Sequence, residues 1–293
     1  MLDPNASRRS YVIHQHTLYE PARGNIFGAG ILGSPLIVVK LGGSLITDKS
    51  RRFSLNADVV KRLGRELAEA VKESGVNLIV VHGGGSYAHP VAKEYSVSEG
   101  LRGKGGLRGF VETSRVVRML CLDVLSNLID GGLMAVSIPA SSVFTTRSGR
   151  ISTCNLEPVF SALRLGLVPI TSGDVVFDRD LGFTVLSGDE ISSYLAVRLR
   201  ARRLIYAMNV DGIYVRDWAT GGIKIAEEFS RGMSIASVGG GVEDVTGGIA
   251  RKIEEGFTAA EAGIEVLFIN GLAENRLRDA VLGLPVPGTR LKP

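Results

Sequence analysis

Two glycine-rich loops with basic residues are the strongest sign of chemistry in this sequence. The loop 40–44, Lys-Leu-Gly-Gly-Ser, directly follows the apolar run 36–39, and the loop 82–86, His-Gly-Gly-Gly-Ser, directly follows the apolar run 78–81. Adjacent glycines let main-chain N–H groups approach a phosphate, and a lysine adds a compact positive charge. Neither loop matches the Walker A or the GxGxxG pattern, which disfavours the nucleotide-binding folds that use them. The loops therefore predict a phosphate site of another kind.

Three further loops have a similar character. The loop 172–174, Ser-Gly-Asp, follows a predicted strand, and the loop 187–189, also Ser-Gly-Asp, opens a predicted helix. The acids Asp174 and Asp189 could orient lysines or bind magnesium indirectly, and Asp189 could equally cap its helix. The glycine cluster 239–241 leads to Thr246 and Lys252. A helix that begins at Thr246 would direct its positive end at a phosphate, with Lys252 lying further along it.

The elements that position these loops alternate between strands and helices. This alternation predicts a mainly parallel open sheet between two helix layers, an α/β three-layer αβα sandwich. In such a sheet, ligands bind at the carboxyl ends of the strands, where these loops lie. The predicted strands are 36–39, 78–81, 134–138, 168–171, 204–208 and 266–269, with a hairpin over 175–186, and the predicted helices are 56–74, 110–130, 155–165, 189–200, 246–262 and 275–282.

Composition excludes several classes of protein. The 293 residues carry a net charge of +4, and the basic residues are spread out rather than gathered in the dense block of a nucleic-acid-binding arm. No apolar run reaches the roughly 18–20 residues that a membrane-spanning helix needs. The only cysteines, Cys121 and Cys154, are predicted to be reduced thiols in a cytoplasmic protein. Residues 1–34 lack periodicity and predict a partly disordered N-terminal extension, in which His14 and His16 are interpreted as surface residues.

The motifs resemble one superfamily when they are taken in chain order. The loops 40–44 and 82–86, the two Ser-Gly-Asp loops, the run 209–214 (Asn-Val-Asp-Gly-Ile-Tyr) and the run 245–252 are similar to the motifs of the amino-acid kinase superfamily. The segment 288–291 resembles its closing strand. The resemblance covers residues 36–291.

Within the superfamily, the runs 44–49 and 82–93 resemble those of the isopentenyl phosphate kinase family. Members of that family carry a histidine at the position of His89. Two residues depart from the family pattern: Ala88 replaces a glycine whose backbone helps to hold substrate, and Asn209 replaces an aspartate.

The resemblance implies ATP-dependent phosphorylation of isopentenyl phosphate to isopentenyl diphosphate, a step of isoprenoid biosynthesis, with Mg²⁺ accompanying ATP. It also implies a homodimer and one kinase domain over 35–293, with the acceptor bound by its N-terminal part and ATP by its C-terminal part. The implied residues are Lys40, Lys49 and His89 for catalysis; Lys40, Gly42, Gly43, Ser44, Gly84, Asp189, Gly248 and Lys252 for ATP; and Gly83, Ala88, His89 and Gly173 for the acceptor, with no protein ligand of a metal.

Two alternatives stay open at this point. A fosfomycin-type kinase would also use a histidine at the position of His89, and a non-catalytic nucleotide or metabolite sensor could share the fold. Acetylglutamate, aspartate and uridylate kinases share it too, but their acceptors have different chemistry. The hydrocarbon tail of isopentenyl phosphate needs an apolar wall, for which the predicted helix 110–130 offers Val117, Leu120, Cys121 and Val124.

Overall fold

The computed structural model describes residues 33–48, 50–217, 220–236 and 245–293. The predicted N-terminal extension lies outside the described residues apart from its last two. Within the described chain, no helix combines the length and the apolarity that a membrane crossing requires. The strands are β1 (Leu36–Leu41), β2 (Asn77–His82), β3 (Ala135–Ser137), β4 (Phe144–Arg147), β5 (Arg150–Cys154), β6 (Val168–Ser172), β7 (Asp174–Asp178), β8 (Gly182–Leu186), β9 (Arg203–Met208), β10 (Tyr214–Arg216), β11 (Ile223–Ile225), β12 (Glu228–Ser230), β13 (Glu265–Asn270) and β14 (Thr289–Lys292).

Helices follow most of the parallel strands, as the alternating pattern predicts. They are α1 (Gly43–Ile46), α2 (Ala57–Ser74), α3 (Gly85–Glu94), α4 (Gly106–Asp130), α5 (Ala140–Val143), α6 (Glu157–Arg164), α7 (Gly188–Arg198), α8 (Val245–Glu261) and α9 (Arg276–Leu282), with a 3₁₀ helix at Val97–Arg102.

The main sheet has eight strands in the order β12-β14-β13-β9-β1-β2-β6-β3. Among the described residues, β13 and β14 are its only antiparallel neighbours. Along β1, Leu36 and Val38 pack into the core on one face, while Ile37 and Val39 pack into the core on the other. A strand that is buried on both faces must be apolar throughout, which is why this run could be recognised in the sequence.

Two helix layers cover this sheet. Helices α2, α4 and α9 pack on one face, and α6, α7 and α8 pack on the other. The arrangement confirms the predicted three-layer αβα sandwich with a mainly parallel sheet. Every long predicted helix is present, and nearly all of the helix ends lie within two residues of their predicted positions. The exception is α4, which begins four residues earlier than predicted.

A second sheet of four strands, in the order β5-β4-β7-β8, was predicted only in part. The predicted hairpin is formed by β7 and β8, which pair antiparallel as expected. The sequence analysis missed the β4–β5 hairpin (Phe144–Cys154), because its strands are short and largely polar. The turn of this hairpin consists of Ser148 and Gly149, both with positive φ (48° and 83°), as in the tight turns that join antiparallel strands.

Candidate active site

A cleft of about 950 Å³ opens at the carboxyl ends of the central strands. The loops after β1, β2 and β9 and the amino-terminal ends of α7 and α8 contribute to its walls, as expected for an open parallel sheet. The catalytic candidate Lys49, the glycine cluster 239–241 and the side chain of Thr246 lie outside the described residues. Every other residue that the resemblance implies for catalysis, for ATP or for the acceptor phosphate lines this one cleft: Lys40, Gly42, Gly43, Ser44, Gly83, Gly84, Ala88, His89, Gly173, Asp189, Gly248 and Lys252.

The two glycine loops touch each other backbone to backbone. A Cβ atom added to Gly43 would lie 2.9 Å from the nitrogen of Gly85, and one added to Gly83 would lie 2.9 Å from the nitrogen of Gly43. Real Cβ atoms do not approach main-chain atoms so closely, so neither position accepts a side chain without movement of the loop. The close packing of the strand ends therefore explains these glycines in part, independently of any ligand.

Several glycine N–H groups are already used inside the protein. The N–H of Gly42, a predicted phosphate donor, donates to the carbonyl of Ala207 (2.8 Å), and the N–H of Gly173 donates to the carbonyl of His82 (3.0 Å). These bonds join the loop after one strand to the neighbouring strand. Gly42 thus contributes to the cleft by its lack of a side chain, and Gly43 and Gly84 are better candidates for donors to phosphate.

One buried carboxylate holds two lysines at the floor of the cleft. The Nζ atom of Lys40, on β1, lies 2.7 Å from Oδ1 of Asp189, and the Nζ atom of Lys252, on α8, lies 3.2 Å from its Oδ2. Burial alone would raise the pKa of Asp189, but attraction to Lys40 and Lys252 outweighs burial and lowers it. Asp189 is therefore ionised and fixes both ammonium groups in place.

The same geometry corrects one of the alternatives for Asp189. The side chain that caps α7 is that of Ser187, whose Oγ accepts the N–H of Asp189 at 3.1 Å. Because Ser187 satisfies this donor, the carboxylate of Asp189 is left to face the lysines. The interpretation of Asp189 as a helix cap is wrong, and the interpretation that it orients lysines is confirmed.

The two histidines near the second loop have different environments. His89 lines the cleft from α3, beside Gly84. A Cβ atom added to Gly84 would lie only 2.7 Å from the Cβ of Ala88, so the glycine is needed for the packing of α3. His82 is fully buried, and its Nδ1 lies 3.0 Å from the carbonyl oxygen of Gly83. Burial lowers the pKa of His82 to about 4, so its ring is neutral near pH 7 and donates from Nδ1. This agrees with its interpretation as a structural residue.

Beyond His89, one end of the cleft is mostly apolar. Ala88, Ala92, Val117 and Val185 line it. Of the four wall residues predicted from the helix 110–130, only Val117 lines the cleft. Leu120 and Val124 pack into the core between the helices and the sheet, and Cys121 lies behind the wall. Helical spacing alone does not distinguish a residue that faces a ligand from one that faces the core.

Asp174 also borders the cleft at this end, and the guanidinium of Arg118 neutralises its negative charge. Its carboxylate pairs with Arg118 and accepts the N–H of Ser141 at 3.2 Å. A fixed negative charge would repel an anionic acceptor, and the guanidinium offsets that repulsion. Asp174 is thus held by an arginine and by a main-chain N–H group.

The other end of the cleft contains residues that the sequence analysis did not single out. Met208, Val210, Tyr214 and Ile249 supply apolar surface, and Arg251 adds a positive charge beside Lys252. The position of Arg251 directly before Lys252 in the helix was the one signal that could have identified it. The cleft therefore has two unlike ends that meet at the lysine pair.

Comparison with known proteins agrees with this geometry. The Amino acid kinase family matches residues 35–270. Isopentenyl phosphate kinase of Methanothermobacter thermautotrophicus is 35% identical over 265 residues, which are 87% of this chain and 98% of the relative. The enzyme of the same name from Methanocaldococcus jannaschii is 32% identical, with the same shares covered. A crystal structure of an isopentenyl phosphate kinase superposes with a TM-score of 0.74 at 32% identity, over 88% of this chain and all of the other.

The chain belongs to the amino acid kinase family, and within that family to the isopentenyl phosphate kinases. It is a phosphotransferase. The comparisons confirm the sequence-based prediction and do not favour the fosfomycin-kinase or the sensor alternative.

Proposed function

We propose that this protein transfers the γ-phosphoryl group of ATP to isopentenyl phosphate, giving isopentenyl diphosphate and ADP. The observation that carries the proposal is the lysine pair on Asp189, which lies between the mostly apolar end of the cleft and the end that α8 lines. We assign the acceptor to the N-terminal part of the domain, beside His89, and ATP to the C-terminal part, beside Gly248 and Lys252. Residues 35–293 are proposed to form this single kinase domain.

Two polyanions must come together in this reaction, so their repulsion is the main obstacle. Catalysis then depends on positioning and on positive charge. We assign Lys40 to the transferred phosphoryl group, Lys252 to the ATP phosphates and Lys49 to the charge of the transition state. The fixed position of the first two ammonium groups on Asp189 supports these roles.

His89 is assigned to the acceptor phosphate as a hydrogen-bond donor. The second pKa of a phosphate monoester is about 6, so the attacking oxygen is already anionic near neutral pH and needs no general base. A donor next to this oxygen would hold the acceptor in line without removing a proton. The apolar residues Ala92 and Val117, beyond His89 in the cleft, suit a short hydrocarbon tail.

Magnesium is part of the same proposal as the partner of ATP. Among the described residues, no three His, Cys, Asp or Glu side chains are grouped to hold a metal ion. The carboxylate of Asp189 is engaged by two lysines. Mg²⁺ would accompany ATP and neutralise charge on its phosphates, and we name no protein ligand for it.

A coupled ADP-release assay tests the function. Wild-type protein with MgATP is given isopentenyl phosphate, fosfomycin, N-acetylglutamate or UMP in parallel. We expect preferential turnover of isopentenyl phosphate. Turnover of another acceptor instead would refute the isoprenoid assignment while keeping the kinase, and ATP binding without turnover of any acceptor would favour the sensor.

Variants of His89 test its assigned role. His89→Ala should lose most of the activity, while His89→Gln, which retains an N–H donor, should retain a larger share. Equal loss in both variants would contradict a role as donor. Unchanged activity in His89→Ala would show that His89 has no role in the reaction.

We also propose that the protein is a homodimer formed through α4 and the adjacent sheet edge. Leu107, Val111, Leu122 and Ile129 are exposed large apolar residues, and their spacing places them along one face of the helix. Strand β3 is the neighbouring edge of the main sheet, and Met134 directly before it is also exposed. An apolar stripe beside an unpaired strand edge is a surface that a second copy could cover by two-fold symmetry.

The oligomeric state can be measured by size-exclusion chromatography with light scattering. We expect a mass of twice the 31.2 kDa of the chain, and we expect Leu122→Glu to give the monomer mass. Leu284→Glu, at an exposed leucine on another part of the surface, is the matched control and should leave the dimer intact. A monomeric wild type, or a dimeric Leu122→Glu, would contradict the proposed interface. The cytoplasmic location stays a prediction.

A further inference from the structure

Two buried carboxylates lie side by side behind the nucleotide end of the cleft. Glu190, next to Asp189 on α7, has a side chain that is 5% exposed, and Glu255, on α8, has one that is 8% exposed. The helices that carry them are joined by a hydrogen bond from Oγ of Ser193 to the carbonyl of Glu255 (2.7 Å). Two like charges buried together need a counterion, because burial and mutual repulsion both disfavour ionised carboxylates.

Arg150 supplies that counterion from outside the main sheet. It is the first residue of β5, and one guanidinium nitrogen, Nη1, lies 3.1 Å from Oε2 of Glu190 and 2.9 Å from Oε1 of Glu255. The main-chain N–H of Ile151 donates to the other oxygen of Glu190 (3.2 Å). The β4–β5 hairpin is thereby attached to both α7 and α8.

The hairpin itself is fixed at its turn. The carboxylate of Asp178, at the end of β7, accepts the N–H of Ser148 (3.2 Å) and the N–H of Gly149 (2.8 Å). Although burial opposes its ionisation, these and other backbone hydrogen bonds lower the pKa of Asp178 to about 2. Arg150 follows this turn directly, so its backbone starts from an anchored position.

A second guanidinium lies near Glu190 but faces the cleft. Arg251, on α8 beside Lys252, lies 3.9 Å from Oε2 of Glu190, farther than Arg150, and it lines the cleft. Because Arg150 is the closer partner of Glu190 and the partner of Glu255, Arg251 is only loosely held. Without Arg150, the carboxylate of Glu190 would attract Arg251, which is its other cationic neighbour.

We propose that Arg150 is a positioning residue for the nucleotide: by neutralising Glu190 and Glu255, it leaves the guanidinium of Arg251 directed into the cleft, where it binds the phosphates of ATP. The proposal rests on the proposed kinase function only in that ATP is the nucleotide. Arg150 is not assigned a contact with substrate. It acts through the charge balance of two carboxylates and two guanidinium groups.

The test is equilibrium binding of MgATP without any acceptor, measured by calorimetry on the full chain. Arg150→Gln should raise the dissociation constant about tenfold, which corresponds to losing one charge-assisted contact. The double variant Arg150→Gln/Glu190→Gln, which removes the carboxylate beside Arg251 together with the cation, should restore binding to near the wild-type value. Arg147→Gln, an exposed arginine on the same hairpin, is the matched control and should bind as wild type does.

Several results would overturn the proposal. A purely structural role would lower the melting temperature of Arg150→Gln without changing its affinity for ATP, and it would not predict rescue by removal of a carboxylate. If Arg150→Gln does not fold, Arg150→Lys serves in its place. It keeps the charge but not the planar group, so the proposal predicts near wild-type affinity for ATP, and a tenfold loss of affinity in that variant would refute a role through charge. Failure of wild-type protein to bind ATP would refute the proposed kinase function itself, a result that the variants cannot imitate.

Discussion

Lowering the pH from about 8 to about 5 is expected to reduce the free energy of unfolding by about 2 kcal/mol through His82 alone. The folded protein holds the pKa of this buried ring at about 4, whereas its ordinary value is 6.5. The unfolded chain therefore binds a proton that the folded protein does not, and the stability is lost as the pH falls below 6.5. The loss grows until the pH nears 4, where the folded protein also becomes protonated. With a difference of roughly 2.5 pKa units, the limiting value is about 3 kcal/mol.

The assay is urea unfolding followed by circular dichroism between about pH 8 and about pH 5. His82→Asn removes the titrating ring but keeps an N–H donor near the carbonyl of Gly83, so it should lose the part of the pH dependence that belongs to His82. Its stability near pH 8 will be lower because the ring leaves a cavity, and only the slope with pH is compared. His89→Asn is the control, in which the contribution of His82 must persist.

The reasoning would be refuted if wild-type protein and His82→Asn showed the same dependence on pH. That result would mean that the ring is protonated at equal cost in the folded and unfolded states. Carboxylates titrate mainly below this range, and their contributions cancel in the difference between the two proteins.

Three further predictions concern the cleft. Asp189→Asn removes the buried carboxylate that holds Lys40, so kcat should fall about 100-fold because the ammonium group is misplaced. Steady-state kinetics at saturating ATP measures this effect. An unchanged kcat would contradict the role assigned to the lysine pair. Gly43→Ala should reduce both activity and melting temperature, because the new methyl group would lie 2.9 Å from the nitrogen of Gly85. If this variant is as stable as the wild type, the two loops can separate without cost. Ser187→Ala removes the cap of α7 and should cost about 1 kcal/mol in urea unfolding, whereas no loss would mean that another group satisfies the N–H of Asp189.

Much of the main sheet and its glycine loops could be predicted from the sequence, because both depend on local rules. Strands such as β1 are buried on both faces and are therefore continuously apolar. The loops that follow them bring their glycines together at one edge for topological reasons. The whole of helix α3 was missed, since it begins within the glycine run 83–85, and glycine is a poor helix former.

The interactions that organise the site could not be predicted in this way. The two carboxylate contacts of Arg150 join residues 40 and 105 positions apart in the chain, and β5 has no apolar alternation to mark it as a strand. The pairing of Lys40 with Asp189 likewise depends on the order of strands and helices in space. A single sequence shows residue types that can form such pairs but not which of them meet.

The lysine pair on Asp189 also has a consequence for conformational entropy. A lysine side chain on a surface samples many rotamers, and ordering it costs up to about 2 kcal/mol. Lys40 and Lys252 are already ordered by the carboxylate they share, so this cost falls on folding rather than on nucleotide binding. An incoming triphosphate therefore meets two ammonium groups that are already ordered. Its affinity depends on how strongly it competes with Asp189 for them, and not on the entropy cost of ordering the lysine side chains.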